Sequence, residues 1–228
     1  MPERKTYFNW SSGKDSALAL YHLLRDKKYS VEYLLTNINR HHDRVSMHGL
    51  RTLLLQRQLD AAGIDYGWLE LPEIASHEEY EATMSQKITE LKEKGFEYAG
   101  FGDIFLEDLR TYREQQLDKW GMKALFPLWN RNTRELTDEF FDLGFKAIVV
   151  CVDAGRLDRS FTGREFDRSF IRDLPAGVDP CGENGEFHTF CYEAPYFSQP
   201  VPFEKGGTIF REYSHNGMKN GFWFCDLF

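Results

Sequence analysis

From Lys5 to Asp153 the sequence alternates short apolar runs with longer amphipathic ones, and this alternation restricts the fold more than any other feature. Strand-type runs are read at Lys5–Trp10, Val31–Asn39, Tyr66–Leu71, Glu97–Gly102, Ala124–Phe126 and Lys146–Asp153. Helical stretches lie between them: Asp15 to about Lys28, Leu50–Ala62, Ser76–Lys94, Asp103–Lys119 and Thr133–Leu143. Leu53, Leu54 and Leu59 are read as the inner face of the second helix. Ser76 with Glu79 reads as a capping box, and Gly63, Gly95 and Gly144 sit where a helix-ending glycine belongs. Arg40–Gly49 reads as a polar turn. Repeated βαβ units require a parallel sheet covered by helices, so the expected class is α/β with a Rossmann-like parallel sheet. Ligands of such sheets bind beyond the carboxyl ends of the strands, at a switch point. The turns after the first and second strands and Gly102-Asp103 after the fourth all fall on that edge.

The first of these turns is chemically loaded. Ser11-Ser12-Gly13-Lys14-Asp15-Ser16 follows the apolar-aromatic run Tyr7-Phe8-Asn9-Trp10 and opens a helix carrying Leu18, Leu20, Leu23 and Leu24. The first N–H groups of a helix have no partner within it, and the helix dipole makes that end positive. Ser11, Ser12 and Ser16 add hydroxyls, Gly13 permits close backbone approach and Lys14 adds a cation. A pyrophosphate suits such a loop. The Walker spacing G-x-x-x-x-G-K-[ST] is absent, as is G-x-G-x-x-G. A plain capped helix, with Asp15 or Ser16 as the cap, is the alternative.

The chain of 228 residues is 42% hydrophobic, which is enough for a folded core, and its net charge of −8 argues against broad nucleic-acid binding. Cys151, Cys181, Cys191 and Cys225 form no C-x-x-C pair, which argues against a structural zinc. No signal-like or membrane-length apolar run is found, so a cytoplasmic chain with reduced thiols is expected. Beyond Asp153 the pattern changes to a charged stretch, a short helix near Glu165–Asp173, and aromatic β-type runs at Phe187–Tyr192, Gly207–Tyr213 and Gly221–Asp226. Asn216-Gly217 and Asn220-Gly221 are turn signals. The expected division is a nucleotide-binding domain over 1–128 and a smaller, β-rich C-terminal domain over 129–228.

Within that second part, Gly177 to Phe190 packs Glu183, Asn184, Glu186, His188 and Thr189 between glycines. The acceptors here could hold Mg²⁺, position a substrate or take a proton. A solvated hairpin loop is the alternative. Aromatic and apolar flanks argue against it.

The Ser11–Ser16 loop resembles the PP-loop of the ATP pyrophosphatase (adenine nucleotide alpha hydrolase-like) superfamily, S-G-G-x-D-S, with Ser12 in place of the second residue. Together with Gly102-Asp103-Ile104, Pro127-Leu128-Trp129, Gly163-Arg164 and the run Gly182 to Thr189, in this order, it resembles the diphthine–ammonia ligase family. That resemblance implies ATP-dependent amidation: a carboxylate is adenylated, pyrophosphate leaves, and ammonia displaces AMP. It also implies roles. Ser11, Ser12, Gly13, Lys14, Asp15 and Ser16 would hold the ATP phosphates. Gly102 and Asp103 would border them, with Asp103 on Mg²⁺ or capping the next helix. Arg110 and Arg113 would neutralise pyrophosphate, or Arg110 would pair with Glu107 or Glu114. His48 would border the adenine. Glu183, Asn184, Glu186 and His188 would be catalytic, a glutamate being the base. Ammonium would be free or supplied by a partner, since no length is left for a glutaminase domain. The implied acceptor is a carboxylate, for the family a modified histidine on elongation factor 2. A homo-oligomer is compatible with the sequence.

Two readings compete. A PP-loop sulfur or tRNA-modifying enzyme would use Cys151, Cys181 or Cys191 as reactive thiols. A nucleotide-binding sensor would bind without cleaving, and would leave the glutamate-rich loop without a role.

Overall fold

The computed structural model describes residues 4–39, 44–45, 49–71, 77–215 and 218–228. Its elements are β1 (Arg4–Asn9), α1 (Lys14–Arg25), β2 (Tyr29–Asn39), β3 (Arg44–Val45), α2 (Thr52–Ala62), β4 (Tyr66–Leu71), α3 (His77–Glu93) and β5 (Tyr98–Gly100). They continue with α4 (Glu107–Asp118), β6 (Lys123–Leu125), α5 (Thr133–Asp142), β7 (Lys146–Asp153), α6 (Arg168–Asp173), β8 (Phe187–Glu193), β9 (Lys205–His215) and β10 (Met218–Leu227).

β4, β2, β1, β5 and β6 pair in that order, every contact parallel, and the short β3 adds antiparallel to the end of β2. The sheet grows from β1 toward β2 and then, after β4, resumes on the other side of β1 at β5. The switch point therefore lies between β1 and β5. Side chains alternate across the sheet. Phe8 joins a core shared with Leu20 and Leu54 of α1 and α2. Tyr7 faces the other way, onto Ile88, Leu91 and Leu117 of α3 and α4.

The expected parallel sheet with a β-rich C-terminal part is present, with three differences. The run of β7 reads as one more strand of the βαβ series, and it is buried from Ala147 to Val152 as such a strand would be. It instead founds a second sheet, β8-β7-β10-β9, with antiparallel pairing throughout. This sheet packs on the α1 face, so Ile148, Phe187 and Phe190 share one core with Phe8 and Leu20. On α2 the buried stripe is Leu54, Leu55, Gln58 and Leu59, while Leu53 is 56% exposed, because adjacent helical residues turn about 100° apart. The polar turn after β2 contains β3. Gly63 ends α2 in the left-handed conformation, as expected. Ser76, His48 and the Asn216-Gly217 turn lie outside the described residues.

Candidate functional site

The turn after β1 is held from three sides. Trp10 N continues the parallel ladder to Leu35 O at 2.8 Å. Ser12 O then accepts from Cys191 N at 2.9 Å and from Gln58 Nε2 at 3.0 Å. Gln58, fully buried, also accepts from Trp10 Nε1 at 2.8 Å. Ser11 and Ser16 hydroxyls lie 2.9 Å apart, and Ser16 Oγ donates to Gly13 O at 3.1 Å. α1 begins at Lys14 with Gly13 as its N-cap, so the cap residue itself places no side chain over that end. The caps expected from Asp15 or Ser16 are not formed. Glycine at the other side of the turn matters too. A Cβ on Gly102 would sit 2.9 Å from Ser16 N and 3.0 Å from the Asp15 carbonyl carbon. The cradle at the start of α1 exists because residue 102 has no side chain. A phosphate fits such a helix terminus by charge and by donors.

Ser12 is not a neutral replacement for glycine. Its φ is 71°, in the left-handed region, and its buried hydroxyl has no hydrogen-bond partner. Both features cost stability. Ser12→Gly is expected to raise stability by about 1 kcal/mol, with the backbone loop unchanged. Urea unfolding checks this: the midpoint should rise at constant slope.

Lys14 does not point a cation at the cradle, contrary to expectation. Its ammonium is buried, 2.7 Å from Asp15 Oδ2, bonded to the Cys181 carbonyl, and 5.2 Å from the centre of the Phe187 ring. Burial alone would lower its pKa; Asp15 foremost, with Glu183 further off, holds it above the ordinary lysine value. Lys14 thereby ties the early loop to the late Gly182–Thr189 run, and its backbone N–H donates to Thr189 Oγ1 at 3.0 Å. The two remote segments expected to meet do meet.

Glu183 reaches the third segment. Its Oε1 accepts from Ile104 N at 2.7 Å and, more weakly, from Phe105 N at 3.4 Å. Residues 101–106 are irregular rather than helical, and α4 starts at Glu107 with Leu106 as N-cap. Asp103 is not the cap, because its carboxylate turns to Arg113, 3.1 Å from Nη2. Asp103 Oδ2 lies 3.0 Å from Arg113 Nε without hydrogen-bond alignment, which leaves both atoms unsatisfied. Burial pushes the Glu183 carboxyl up to about 7, with Asp15 and Asp103 adding to it against the Ile104 hydrogen bond. A carboxyl that titrates near neutrality beside a helix terminus can take and return a proton.

The other expected catalytic residues divide. Glu186 is 2% exposed and spends its carboxylate inside its own loop, on Asp179 N, Asn184 N and Asn184 Nδ2 at 3.0–3.2 Å. Asn184 is thus bound to Glu186 rather than aimed at the cradle. His188 is neutral near pH 7, since burial and then the Lys14 charge push it down to about 4. Arg110 pairs with Glu114 at 2.8 Å and stacks on Trp129 at 4.6 Å, which realises the alternative expected for it. Among the described residues no cluster of three or more His, Cys, Asp or Glu could hold a metal on its own. Mg²⁺ carried by a triphosphate needs only one or two carboxylates, and the unsatisfied Asp103 Oδ2 fits that need.

Two residues outside the expected set complete the framework. Asp179 Oδ1 accepts from Cys181 N and Glu183 N at 2.9 and 3.3 Å, which shapes the turn that delivers Glu183. Gln58 clamps the phosphate-side turn. Its signal in the sequence is a lone amide on an otherwise apolar stripe of α2.

A parallel sheet with a Ser/Gly turn and helix terminus at its switch point, lacking the Walker spacing, defines a PP-loop-type α/β protein. The sequence matches the diphthamide synthase N-terminal domain over residues 4–124 and the diphthamide synthase C-terminal domain over residues 132–218. The chain belongs to the diphthamide synthase family. It is 30% identical over 105 residues to the diphthine–ammonia ligase of Bos taurus, covering 44% of this chain and 39% of that protein. It is 28% identical over 131 residues to that of Mus musculus, covering 54% and 48%. The match to the Schizosaccharomyces pombe protein of the same name is 28% over 104 residues, 44% of this chain and 17% of the relative. The matched stretches therefore span less than half the length of these relatives. The U34-tRNA thiolase NcsA from Methanococcus maripaludis, solved with its 4Fe-4S cluster, superposes with a TM-score of 0.36 at 19% identity, over 61% of this chain and 57% of that one. A superposition that loose carries no argument about function.

Proposed function

We propose that this chain is an ATP-dependent amide ligase that adenylates a carboxylate and amidates it with ammonia, releasing AMP and pyrophosphate. One observation carries the reading: Glu183, from the late acidic segment, is anchored on Ile104 N while its neighbour Cys181 is joined to Lys14 of the phosphate loop. The carboxylate is thereby held next to the helix terminus where a triphosphate would rest. The relatives named diphthine–ammonia ligase support the same reading.

In this proposal residues 1–128 carry the nucleotide and 129–228 supply the segment that closes over it. The backbone N–H groups of Asp15 and Ser16 receive the phosphates, with the Ser11 and Ser16 hydroxyls beside them, while those of Gly13 and Lys14 are held by Ser11 and Thr189. Lys14 with Asp15 positions the loop rather than touching phosphate. Asp103 Oδ2 would hold the Mg²⁺ that accompanies ATP, and that ion would supply charge neutralisation for pyrophosphate. Arg113 keeps Asp103 in place. Glu183 accepts a proton from ammonium, so that neutral ammonia attacks the activated acyl group. Asn184, Glu186 and Asp179 hold the turn that presents Glu183. His188, as a neutral imidazole, offers a hydrogen bond without adding charge. The acceptor is a carboxylate, for which elongation factor 2 bearing diphthine, the modified histidine, is the substrate to try.

The sulfur-transfer alternative finds less support. Burial pushes the Cys151 thiol up to about 12, and Cys181 and Cys191 upward as well, so none is a ready thiolate.

The test is a product assay with ATP, Mg²⁺, ammonium and diphthine-bearing elongation factor 2. AMP and pyrophosphate are expected in equal amounts, together with the amide. Formation of ADP, or ATP cleavage that is indifferent to both acceptor and ammonium, overturns the proposal.

A further inference from the structure

The sheet has a second opening at the same edge, on the face away from α1. Side chains of α3 and α4 line a cleft there over the ends of β1 and β2. Its floor carries two amides, Asn9 and Asn37. Phe101 and Trp120 supply aromatic walls, Met84 lines the α3 side and Gln116 the α4 side. Among the described residues one cation lines it, Arg113, whose guanidinium lies 4.4 Å from the centre of the Phe101 ring, together with one carboxylate, Glu81, which is bonded to Gln116 and Lys119. This is the guanidinium that also holds Asp103, and Asp103 is followed by Ile104, whose N–H binds Glu183. Cleft and phosphate cradle are thus two sides of one wall, with the Arg113–Asp103 pair set in it.

We infer that the α3–α4 cleft is the acceptor subsite: it receives a planar, polar ring on a protein side chain and brings that side chain's carboxylate to Arg113. This rests on the ligase reading above. Three features of the cleft choose the occupant. Aromatic walls suit a flat ring, and carboxamides at the floor can donate to and accept from its heteroatoms. Arg113 Nε and Nη2 face Asp103, at 3.0 and 3.1 Å, and the remaining N–H groups of the five on a guanidinium are donors of the right charge for a second carboxylate. The nucleotide, approaching from the α1 side, leaves this face as the remaining way to the switch point. Two reactants entering from opposite faces also reach the α-phosphate without competing for one mouth.

The experiment fills the cleft from each wall. Met84→Trp and Gln116→Trp alter residues outside the proposed phosphate and Glu183 machinery. Acceptor affinity is measured by titrating diphthine-bearing elongation factor 2 in the presence of an ATP analogue that cannot be cleaved between α and β. ATP affinity is measured separately, and thermal melting confirms folding. The expected result is at least tenfold weaker acceptor binding in both variants, with ATP affinity within twofold of wild type. Unchanged acceptor binding in folded variants overturns the subsite, as does weakened ATP binding with acceptor binding intact, which would make the cleft a nucleotide site. Failure of the ligase reading gives a different signature: wild-type protein that binds the acceptor in the cleft and still forms no AMP.

Discussion

Gly102→Ala should weaken ATP binding about 100-fold, which corresponds to about 2.7 kcal/mol. The added methyl would meet backbone, Ser16 N at 2.9 Å and the Asp15 carbonyl carbon at 3.0 Å, and not a movable side-chain end. The start of α1 must therefore shift away from β5. That shift rotates the N–H groups meant for phosphate and strains Ser12, whose carbonyl is fixed by both Cys191 and Gln58. Overpacking of this kind also costs stability, about 1–3 kcal/mol. Gly207→Ala is the matched control, since nothing lies within 4 Å of its added carbon. Isothermal titration with ATP and a urea curve separate the two effects. Wild-type ATP affinity in a folded Gly102→Ala protein would show that the phosphates do not rest on the start of α1.

What could be read in advance follows the range of the interactions. The phosphate turn was legible because a strand, a small-residue turn and a helix start are local, and their consequence for anions follows from backbone geometry alone. That three remote segments converge was legible too, because parallel sheets place every such turn on one edge. Individual roles were not. Lys14 reads as a phosphate ligand until Cys181, far along the chain, is seen to accept its ammonium. Glu183 and Glu186 are indistinguishable as letters. One is anchored on Ile104, while the other is consumed by Asn184 and Asp179 within its own turn. Asp103 looked like a helix cap because its partner, Arg113, lies one helix ahead. β7 misled for a different reason. A run buried on both faces is equally at home in a parallel sheet or in the middle of an antiparallel one, and only its neighbours decide.

Ser12, Asp103 and Glu183 share a physical signature. Each is a polar group that the fold holds at some cost: a left-handed backbone with an unpartnered hydroxyl, a carboxylate oxygen without a hydrogen bond, and a carboxyl whose charge burial disfavours. Costs of this kind gather where a ligand or a reaction is meant to relieve them. Gln58 and Glu186 are as deeply buried, and each has its polar atoms engaged by neighbouring backbone and side chains. The distinction separates the groups that support the site from those offered to the substrate.

Glu183→Gln should make the protein more stable and much less active. The sign follows from linkage. An unfolded glutamate titrates at about 4.3, and the folded Glu183 carboxyl at about 7. Between these values the folded state binds more protons than the unfolded state, so stability from this group is full at low pH and is lost as pH rises to 7. The loss is about 4 kcal/mol if the whole shift is expressed. Glutamine keeps an oxygen for Ile104 N and carries no charge to desolvate. The variant should therefore match wild type near pH 4.5, exceed it at pH 8 by up to about 4 kcal/mol, and lack the decline between. Activity should go the opposite way. The ionised carboxylate is the base, so turnover at saturating ammonium should climb with pH and level off above about 7 in the wild type. In Glu183→Gln that limb should vanish and turnover should fall 10²- to 10⁴-fold, the usual worth of a positioned base. Chemical denaturation and initial rates over the same pH series test both halves. A variant that gains stability at pH 8 but keeps wild-type turnover would leave Glu183 as a buried anchor for Ile104 and return the search for the base to the rest of the cradle.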